Sequence, residues 1–155
     1  MSVLDLEEAK KKRELLRKKN REVAFTNGCF DILHSGHLKL LSEAKMQADY
    51  LVVGLNSDSS LRRLKGEGRP VLPESERSQL LDAICWVDDV IIFEEDTPMR
   101  LIEALKPDVL VKGADYEKNE IVGAAFVEKN GGRIYRVELK PGKATTDIIS
   151  KIQGT

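Results

Sequence analysis

The chain has 155 residues, 41% of them hydrophobic and 33% charged, a composition typical of one globular domain and not of a disordered chain. Its 25 basic and 26 acidic residues leave a net charge of −1, which excludes a general attraction to nucleic acid or to anionic membranes. Two distant cysteines without a CxxC pattern, a charged N-terminal stretch and no long apolar run predict reduced thiols, no membrane partner and a cytoplasmic location.

Strand and helix patterns alternate along most of the chain. Residues 1–21 predict a charged N-terminal helix, and residues 22–155 predict the main domain. Short apolar runs typical of buried strands lie at 23–26, 51–55, 90–93, 109–111 and 134–137. Helix patterns follow these runs, whereas residues 56–73 are predicted to form a polar loop.

Strands that alternate with helices predict a parallel sheet with right-handed crossovers. We therefore expect an α/β fold with a Rossmann-like, doubly wound sheet of five parallel strands. The last helix is predicted to start near Thr145 and to bury Ile148, Ile149 and Ile152. Ligands of such sheets bind beyond the carboxyl ends of the strands, so functional residues should directly follow strands.

The stretch after the first strand, NGCFDILHSGH, carries the strongest chemical signal. Gly28 and Gly36 allow the backbone to approach a ligand closely, and a helix N-terminus offers unpaired amides to a phosphate. His34 and His37 lie three residues apart and face one side of the helix start, where two imidazole donors could hold a phosphate. Structural histidines and turn glycines are the alternative, and a metal site is disfavoured because no third ligand is nearby.

Polar residues also follow the second and fourth strands. Asn56 and Asp58 come after the second strand, and Lys112 and Asp115 lie at the end of the fourth. Each could be an ordinary turn or cap residue. Because this edge of the sheet is the expected ligand site, we interpret all four as candidate substrate-binding residues.

The motif HSGH after GCFD resembles the HxGH signature of the cytidylyltransferase-like nucleotidyltransferases. A closer similarity is to the branch that makes ADP-heptose from heptose 1-phosphate and ATP, and it covers roughly residues 22–152. The similar segments are NGCFDILHSGHLKLL, LVVGLNSDSS, RLKGEGRPV, FEEDTP, PDVLVKGADY and TTDIISKI. This resemblance implies an adenylyltransferase that moves AMP from ATP to a sugar 1-phosphate and releases pyrophosphate.

The resemblance also implies roles for residues of the first motif. His34 and His37 would hold the α- and β-phosphates, and His37 would stabilise the transition state. The backbone amides of Cys29 and Phe30 would line the same site, beside Gly28. The thiol of Cys29 is not needed for such a contact and stays open to a packing role.

Three further segments acquire roles by resemblance. Lys65, in the predicted Gly-rich loop, would contact the phosphates, and an arginine at the place of Arg77 reaches the active site in the family. A surface position for Arg77 is equally compatible with the sequence. Thr145 and Thr146 would bind the triphosphate at the start of the last helix or simply cap it. Ala144 stands where the family commonly has serine, so one hydroxyl is missing.

The implied reaction is in-line attack of a sugar phosphate oxygen on the α-phosphorus of ATP, with Mg²⁺ on the triphosphate and no general base. A separate sugar kinase would supply the sugar phosphate, no nucleic acid partner is expected, and a homo-oligomer stays open. Three alternatives remain at this point. They are a CTP-dependent glycerol- or polyol-phosphate cytidylyltransferase, a non-catalytic nucleotide-binding regulatory module, and a tRNA-ligase fragment. The small length and the near-neutral charge leave little room for the tRNA contacts of the last one.

Overall fold

The computed structural model describes residues 2–114, 117–139 and 145–154. In this part of the chain, the strands are β1 (Ser2–Val3), β2 (Val23–Gly28), β3 (Tyr50–Asn56), β4 (Asp89–Phe93), β5 (Val109–Gly113) and β6 (Arg133–Val137). The α-helices are α1 (Leu6–Lys18), α2 (Ser35–Met46), α3 (Asp58–Lys65), α4 (Glu74–Asp82), α5 (Met99–Leu105), α6 (Ala124–Lys129) and α7 (Thr145–Ile152). A short 3₁₀ helix spans Lys118–Glu120. No described helix is both long and apolar enough to cross a membrane.

The strands form one parallel sheet in the order β1-β4-β3-β2-β5-β6. The predicted doubly wound sheet of five parallel strands is confirmed by β2 to β6. The sequence analysis did not predict β1, whose two residues pair with Asp89 and Val90 at the edge of β4. A strand of two residues is too short to show the alternation from which strands are predicted.

Apolar side chains cover both faces of the sheet, as successive residues of a strand point to opposite sides. On β2, Ala24 packs on the face covered by α2 and α4, whereas Phe25 packs on the face covered by α1, α5 and α6. The strand order reverses direction between β2 and β5, two neighbouring strands inside the sheet. A ligand site is expected at this switch point.

Residues 58–65 form helix α3, so the prediction of one polar loop over 56–73 was wrong. The Ser57 Oγ accepts a hydrogen bond from the Ser60 N–H at 3.1 Å and caps the helix, and Leu61 is its one buried apolar side chain. One apolar anchor gives no helical period in the sequence. Lys65 is consequently the last residue of α3 and precedes Gly66, whose φ of 94° ends the helix.

The burial predicted for the last helix was also wrong. No residue of α7 is buried, and Ile152 is 75% exposed. The period of apolar residues predicted the helix correctly, but periodicity alone does not show whether a neighbour covers the apolar face.

Helix α1 packs on the sheet of its own chain through Ala9 and Arg13, which are both buried. The Arg13 Nε donates to the Leu105 carbonyl at 2.8 Å, and its Nη2 donates to the Lys106 carbonyl at 2.9 Å and to Asp108 Oδ2 at 3.1 Å. Burial lowers the pKa of Arg13, and the charge of Asp108 partly restores it. The guanidinium therefore joins α1 to the end of α5.

We predict that Arg13→Ala lowers the free energy of unfolding by about 2–3 kcal/mol, because buried acceptors at the end of α5 lose their donor. Urea denaturation measures this change. Arg17→Ala is the matched control on the same helix, since Arg17 is exposed and lies 3.8 Å from Glu14. Its effect should stay within about 0.5 kcal/mol. Equal effects of the two substitutions would contradict the packing role of Arg13.

Candidate active site

Two histidine rings stack at the N-terminus of α2, just beyond the carboxyl end of β2. His34 is the N-cap residue, and its Nδ1 accepts a hydrogen bond from the Gly36 N–H at 3.1 Å. The His37 Nδ1 accepts from the His34 N–H at 3.3 Å. The ring centroids lie 3.9 Å apart with an interplanar angle of 28°. In a neutral imidazole whose Nδ1 accepts, the proton is on Nε2, so each ring carries one Nε2–H donor, and the Nε2 of His34 is buried.

The amides at this helix start are less available than the sequence analysis assumed. The Gly36 N–H is bonded to the His34 ring, and the His37 N–H donates to the His34 carbonyl at 3.0 Å. The histidines thus act as a reciprocal capping pair, in the manner of a capping box. The expectation of bare amides at Gly36 and His37 is corrected, and the imidazoles themselves become the principal donors.

Phe30 supports the ring of His37 from a buried position. Its backbone is left-handed, with φ at 45°, which is unusual for a bulky residue. The Phe30 and His37 ring centroids are 5.0 Å apart, and a Cβ on Gly28 would come within 3.0 Å of the Phe30 ring. Burial, with a smaller contribution from His34, lowers the pKa of His37 to about 4. The ring is therefore neutral near pH 7.

Arg77, which was predicted to contact the nucleotide, is buried and makes its hydrogen bonds within the protein. Its side chain is 0% exposed. The guanidinium donates to four acceptors within the protein: Leu72 O at 2.9 Å, Cys29 O at 2.7 Å, Asn56 O at 2.8 Å and Asp58 Oδ1 at 2.8 Å. A guanidinium occupied in this way has little capacity left for a phosphate. Arg77 instead ties the carboxyl ends of β2 and β3 to α4.

Asp31 makes a second connection from the loop after β2 and was not predicted to have a role. Its fully buried carboxylate accepts from the Val71 N–H at 2.8 Å, the Leu72 N–H at 3.1 Å and the Arg69 Nε at 2.7 Å. Burial alone would raise the pKa of Asp31, but these donors outweigh it and lower the pKa. No local sequence pattern indicates this contact, because the partners lie 38 to 41 residues further along the chain.

The predicted residues Asn56 and Asp58 lie at the end of β3 and belong to the same network. The Asn56 side chain donates to Ser60 Oγ at 3.0 Å, and Asp58 Oδ1 accepts from Arg77 and from the Glu74 N–H at 2.8 Å. Both side chains thus have partners in the protein. A substrate contact through them stays a prediction.

Three positively charged side chains lie near Cys29, which is half-buried. Burial raises the pKa of its thiol, and nearby positive charges lower it in part. These charges belong to Lys65, Arg77 and Arg69. Cys29 and the exposed Cys85 are both free thiols. The predicted phosphate contact of Lys65 is untested, but the lysine lies at the correct edge of the sheet.

The remaining predicted residues approach the site from the β5 side. The Lys112 Nζ donates to the Asn27 carbonyl at 3.4 Å, and the Thr145 Oγ1 donates to the Ile32 carbonyl at 3.2 Å. Thr145 therefore brings the start of α7 against the loop after β2, whereas Thr146 is exposed. Asp115 and Ala144 lie outside the described residues.

Comparison with known proteins then identifies the family. The profile of the cytidylyltransferase-like family matches residues 25–146, which include most of β2, the histidine pair and the start of α7. The chain belongs to the cytidylyltransferase-like family. It is accordingly a nucleotidyltransferase.

Several curated relatives are more similar still. The chain is 53% identical over 152 residues to the bifunctional protein HldE of Mesorhizobium japonicum, covering 98% of this chain and 31% of that protein. It is 54% identical over 139 residues to the bifunctional protein HldE of Geobacter metallireducens, covering 90% of this chain and 28% of that protein. The chain thus spans less than a third of the length of these relatives.

Solved structures share the fold. A crystal structure described as a lipopolysaccharide core biosynthesis protein from Thermoplasma volcanium is 30% identical, with a TM-score of 0.64, and the match covers 80% of this chain and 98% of that one. Pantoate-beta-alanine ligase from Francisella tularensis has a TM-score of 0.68 at 16% identity over 99% of this chain and 77% of that one. At that identity the likeness concerns the fold alone.

We predict that Arg77→Lys lowers the free energy of unfolding by about 3 kcal/mol or more, because one ammonium cannot reach four acceptors that lie around a planar fork. Chemical denaturation measures the loss. Arg100→Lys is the control, since its side chain is 72% exposed, and we expect a change within about 0.5 kcal/mol. A stability near wild type for Arg77→Lys would refute the assigned role of Arg77.

A second prediction concerns pH. The pKa of His37 is about 4 in the folded protein and 6.5 in the unfolded chain, so the unfolded chain takes up the proton first as the pH falls. This group should therefore lower the free energy of unfolding progressively from pH 6.5 to about pH 4, by up to about 3 kcal/mol.

His37→Asn tests this dependence, because the Asn oxygen can replace Nδ1 as an acceptor without titrating. Urea denaturation of both proteins across that range should give a stability difference that changes with pH. A difference that stays constant with pH would contradict the lowered pKa.

Proposed function

We propose that this chain transfers AMP from ATP to heptose 1-phosphate, a sugar 1-phosphate, and so forms ADP-heptose and pyrophosphate. The observation that carries the proposal is the stacked pair of imidazoles at the carboxyl end of the central strand, each of which accepts a backbone N–H at Nδ1 and so carries its proton on Nε2. The sugar assignment rests on the resemblance of FEEDTP and LVKGADY to the heptose branch and on the identity with HldE proteins. The description of the Thermoplasma volcanium relative supports a role in lipopolysaccharide core biosynthesis.

The chemistry follows from the charges of the two substrates. An anionic oxygen of the sugar phosphate attacks the α-phosphorus of ATP in line, the new P–O bond forms, and the bond to the bridging oxygen of pyrophosphate breaks. Negative charge grows on that bridging oxygen and on the non-bridging oxygens. The Nε2–H groups of His34 and His37 are the candidate donors to this charge, and the hydrogen bonds to their Nδ1 atoms fix the tautomer that carries these protons.

The nucleophile is anionic near pH 7, so the chain has no need of a general base. Its task is to bring two polyanions together and to offset their repulsion. Lys65, beside Cys29, is the candidate cation for the phosphates of ATP. The start of α7 at Thr145 and Thr146, and Lys112 at the end of β5, are candidates for the nucleotide side of the site.

Mg²⁺ would supply charge neutralisation on the triphosphate. Within residues 2–114, 117–139 and 145–154, no group of three His, Cys, Asp or Glu side chains is arranged to hold a metal ion. This donor set fits Mg²⁺ that is carried mainly by substrate phosphates and waters, which is a common mode for this ion. His34, His37 and Lys65 would then share the triphosphate with it.

The substrate needs a source. A sugar 1-phosphate is formed by phosphoryl transfer to a sugar, so a sugar kinase has to act before this chain. The HldE relatives are bifunctional and about three times as long as the matched region. We therefore propose a kinase as the functional partner, and a reducing, cytoplasmic setting agrees with the two free thiols.

A turnover screen tests the proposal. ATP and CTP are each combined with Mg²⁺ and with heptose 1-phosphate, glucose 1-phosphate or glycerol 3-phosphate, and the products are identified by mass spectrometry. The expected result is ADP-heptose and pyrophosphate from ATP and heptose 1-phosphate. CDP-glycerol from CTP would replace the proposal by the cytidylyltransferase alternative, and nucleotide binding without any pyrophosphate release would refute it.

The same assay tests the histidine pair. His37→Asn keeps an acceptor for the His34 N–H but removes the Nε2–H donor, and turnover at saturating substrates should fall about 100-fold or more. Met46→Leu, at an exposed position at the end of α2, is the control and should leave turnover unchanged. Near-normal turnover of His37→Asn would contradict the proposed role.

A further inference from the structure

A shallow cavity of about 360 Å³ lies between the end of α3 and the start of α4. Its lining includes Asp58, Arg62, Arg69 and Val71. Arg62 and Arg69 belong to none of the candidate site residues predicted from the sequence motifs. The cavity is polar and open to solvent on one side, so it can admit a charged ligand.

Arg69 is held in this cavity by one edge of its guanidinium. Its side chain is 14% exposed, and its Nε donates to the fully buried Asp31 carboxylate at 2.7 Å. Among the described residues, no acceptor is found for the two Nη groups of Arg69. A guanidinium fixed through Nε keeps its outer pair of N–H groups for a ligand, and such a pair matches two oxygens of a phosphate.

The charges around the cavity favour an anion. Asp58 also lines it, but the Arg77 guanidinium lies 2.8 Å from that carboxylate and neutralises it. Arg62 is exposed and has no ion pair in the described part of the chain. It lies one helical turn before Lys65 on α3, so both cations are on the same side of the helix.

The cavity adjoins the proposed reaction centre. Asp31 follows Phe30, whose ring contacts His37. The charges of Lys65 and Arg69 both act on Cys29, between Gly28 and Phe30. Arg69 therefore lies next to the loop that joins β2 to the histidine pair.

We propose that the Nη groups of Arg69 bind a substrate phosphate in this cavity and that Asp31 is the positioning residue that orients them. The ligand is a phosphate group with at least two free oxygens. Two sources provide it: the phosphate of the acceptor sugar, or the β,γ-pyrophosphate portion of ATP. This inference deepens the proposed function and rests on it for the identity of the substrates, but anion binding itself does not require turnover.

Direct binding is the first test. Calorimetric titration with inorganic phosphate and with pyrophosphate is carried out on wild type, Arg69→Gln and Arg69→Lys. Loss of a bidentate, charge-assisted contact should weaken binding about 10- to 100-fold in Arg69→Gln. Arg69→Lys should also bind weakly, because one ammonium cannot hold Asp31 and offer a fork to the ligand. Arg63→Gln is the matched control on α3, since Arg63 pairs with Asp96, and it should bind as wild type does.

Steady-state kinetics then separates the two sources. A higher KM for the sugar phosphate with an unchanged KM for ATP assigns Arg69 to the acceptor, and the reverse assigns it to the triphosphate. Asp31→Asn should show the same KM change in weaker form, which a purely structural role would not produce.

Thermal melting verifies that each variant is folded, and if Arg69→Gln is not, Arg69→Lys decides. Wild-type affinity for both anions together with unchanged KM values in the folded Arg69 variant would overturn the proposal. Arg69-dependent binding of phosphate in a chain that transfers no nucleotide would instead refute the proposed function and leave the anion site intact.

Discussion

The arrangement of the active site depends on one buried positive charge. Burying an arginine is strongly unfavourable unless acceptors surround it, and Arg77 satisfies this condition with three backbone carbonyls and a carboxylate. Two of these carbonyls, from Cys29 and Asn56, terminate the central strands β2 and β3. The ends of neighbouring parallel strands would otherwise present unpaired carbonyls to the site. The Arg77 guanidinium donates to both strand-end carbonyls, and these acceptors in turn compensate its buried charge. It therefore fixes the position at which the loop after β2 and helix α3 begin.

The loop after β2 is held at several places along its length. Arg77 holds its start at Cys29, Asp31 joins its middle to the 69–72 segment, and His34 closes its end by capping α2. Donors that stabilise a developing charge are effective when they do not have to reorganise during the reaction. Each of these three contacts is made by a buried or half-buried polar group that is hydrogen-bonded within the protein. The loop is therefore held in place by contacts within the protein itself.

The sequence predicted those features that depend on neighbouring residues. Strand and helix periods gave the parallel sheet, and the short spacing of His34 and His37 indicated a shared site at a helix start. Features that depend on distant contacts were not predictable. Nothing near Asp31 in the chain indicates that its donors lie at 69–72, and an arginine in a polar helix such as α4 gives no sign that it will be buried. The prediction that α7 is buried was wrong for a related reason. An apolar stripe on a helix does not show which element, if any, packs against it.

Phe30 has a consequence for engineering. A common route to a more thermostable protein is to replace a left-handed residue by glycine, which relieves backbone strain of about 1–3 kcal/mol. At this position the replacement would also remove the ring that fills the space beside Gly28 and supports His37. Any gain in stability would thus come with weaker support for the His37 ring. A consensus or design procedure that scores backbone geometry alone would choose the wrong residue here.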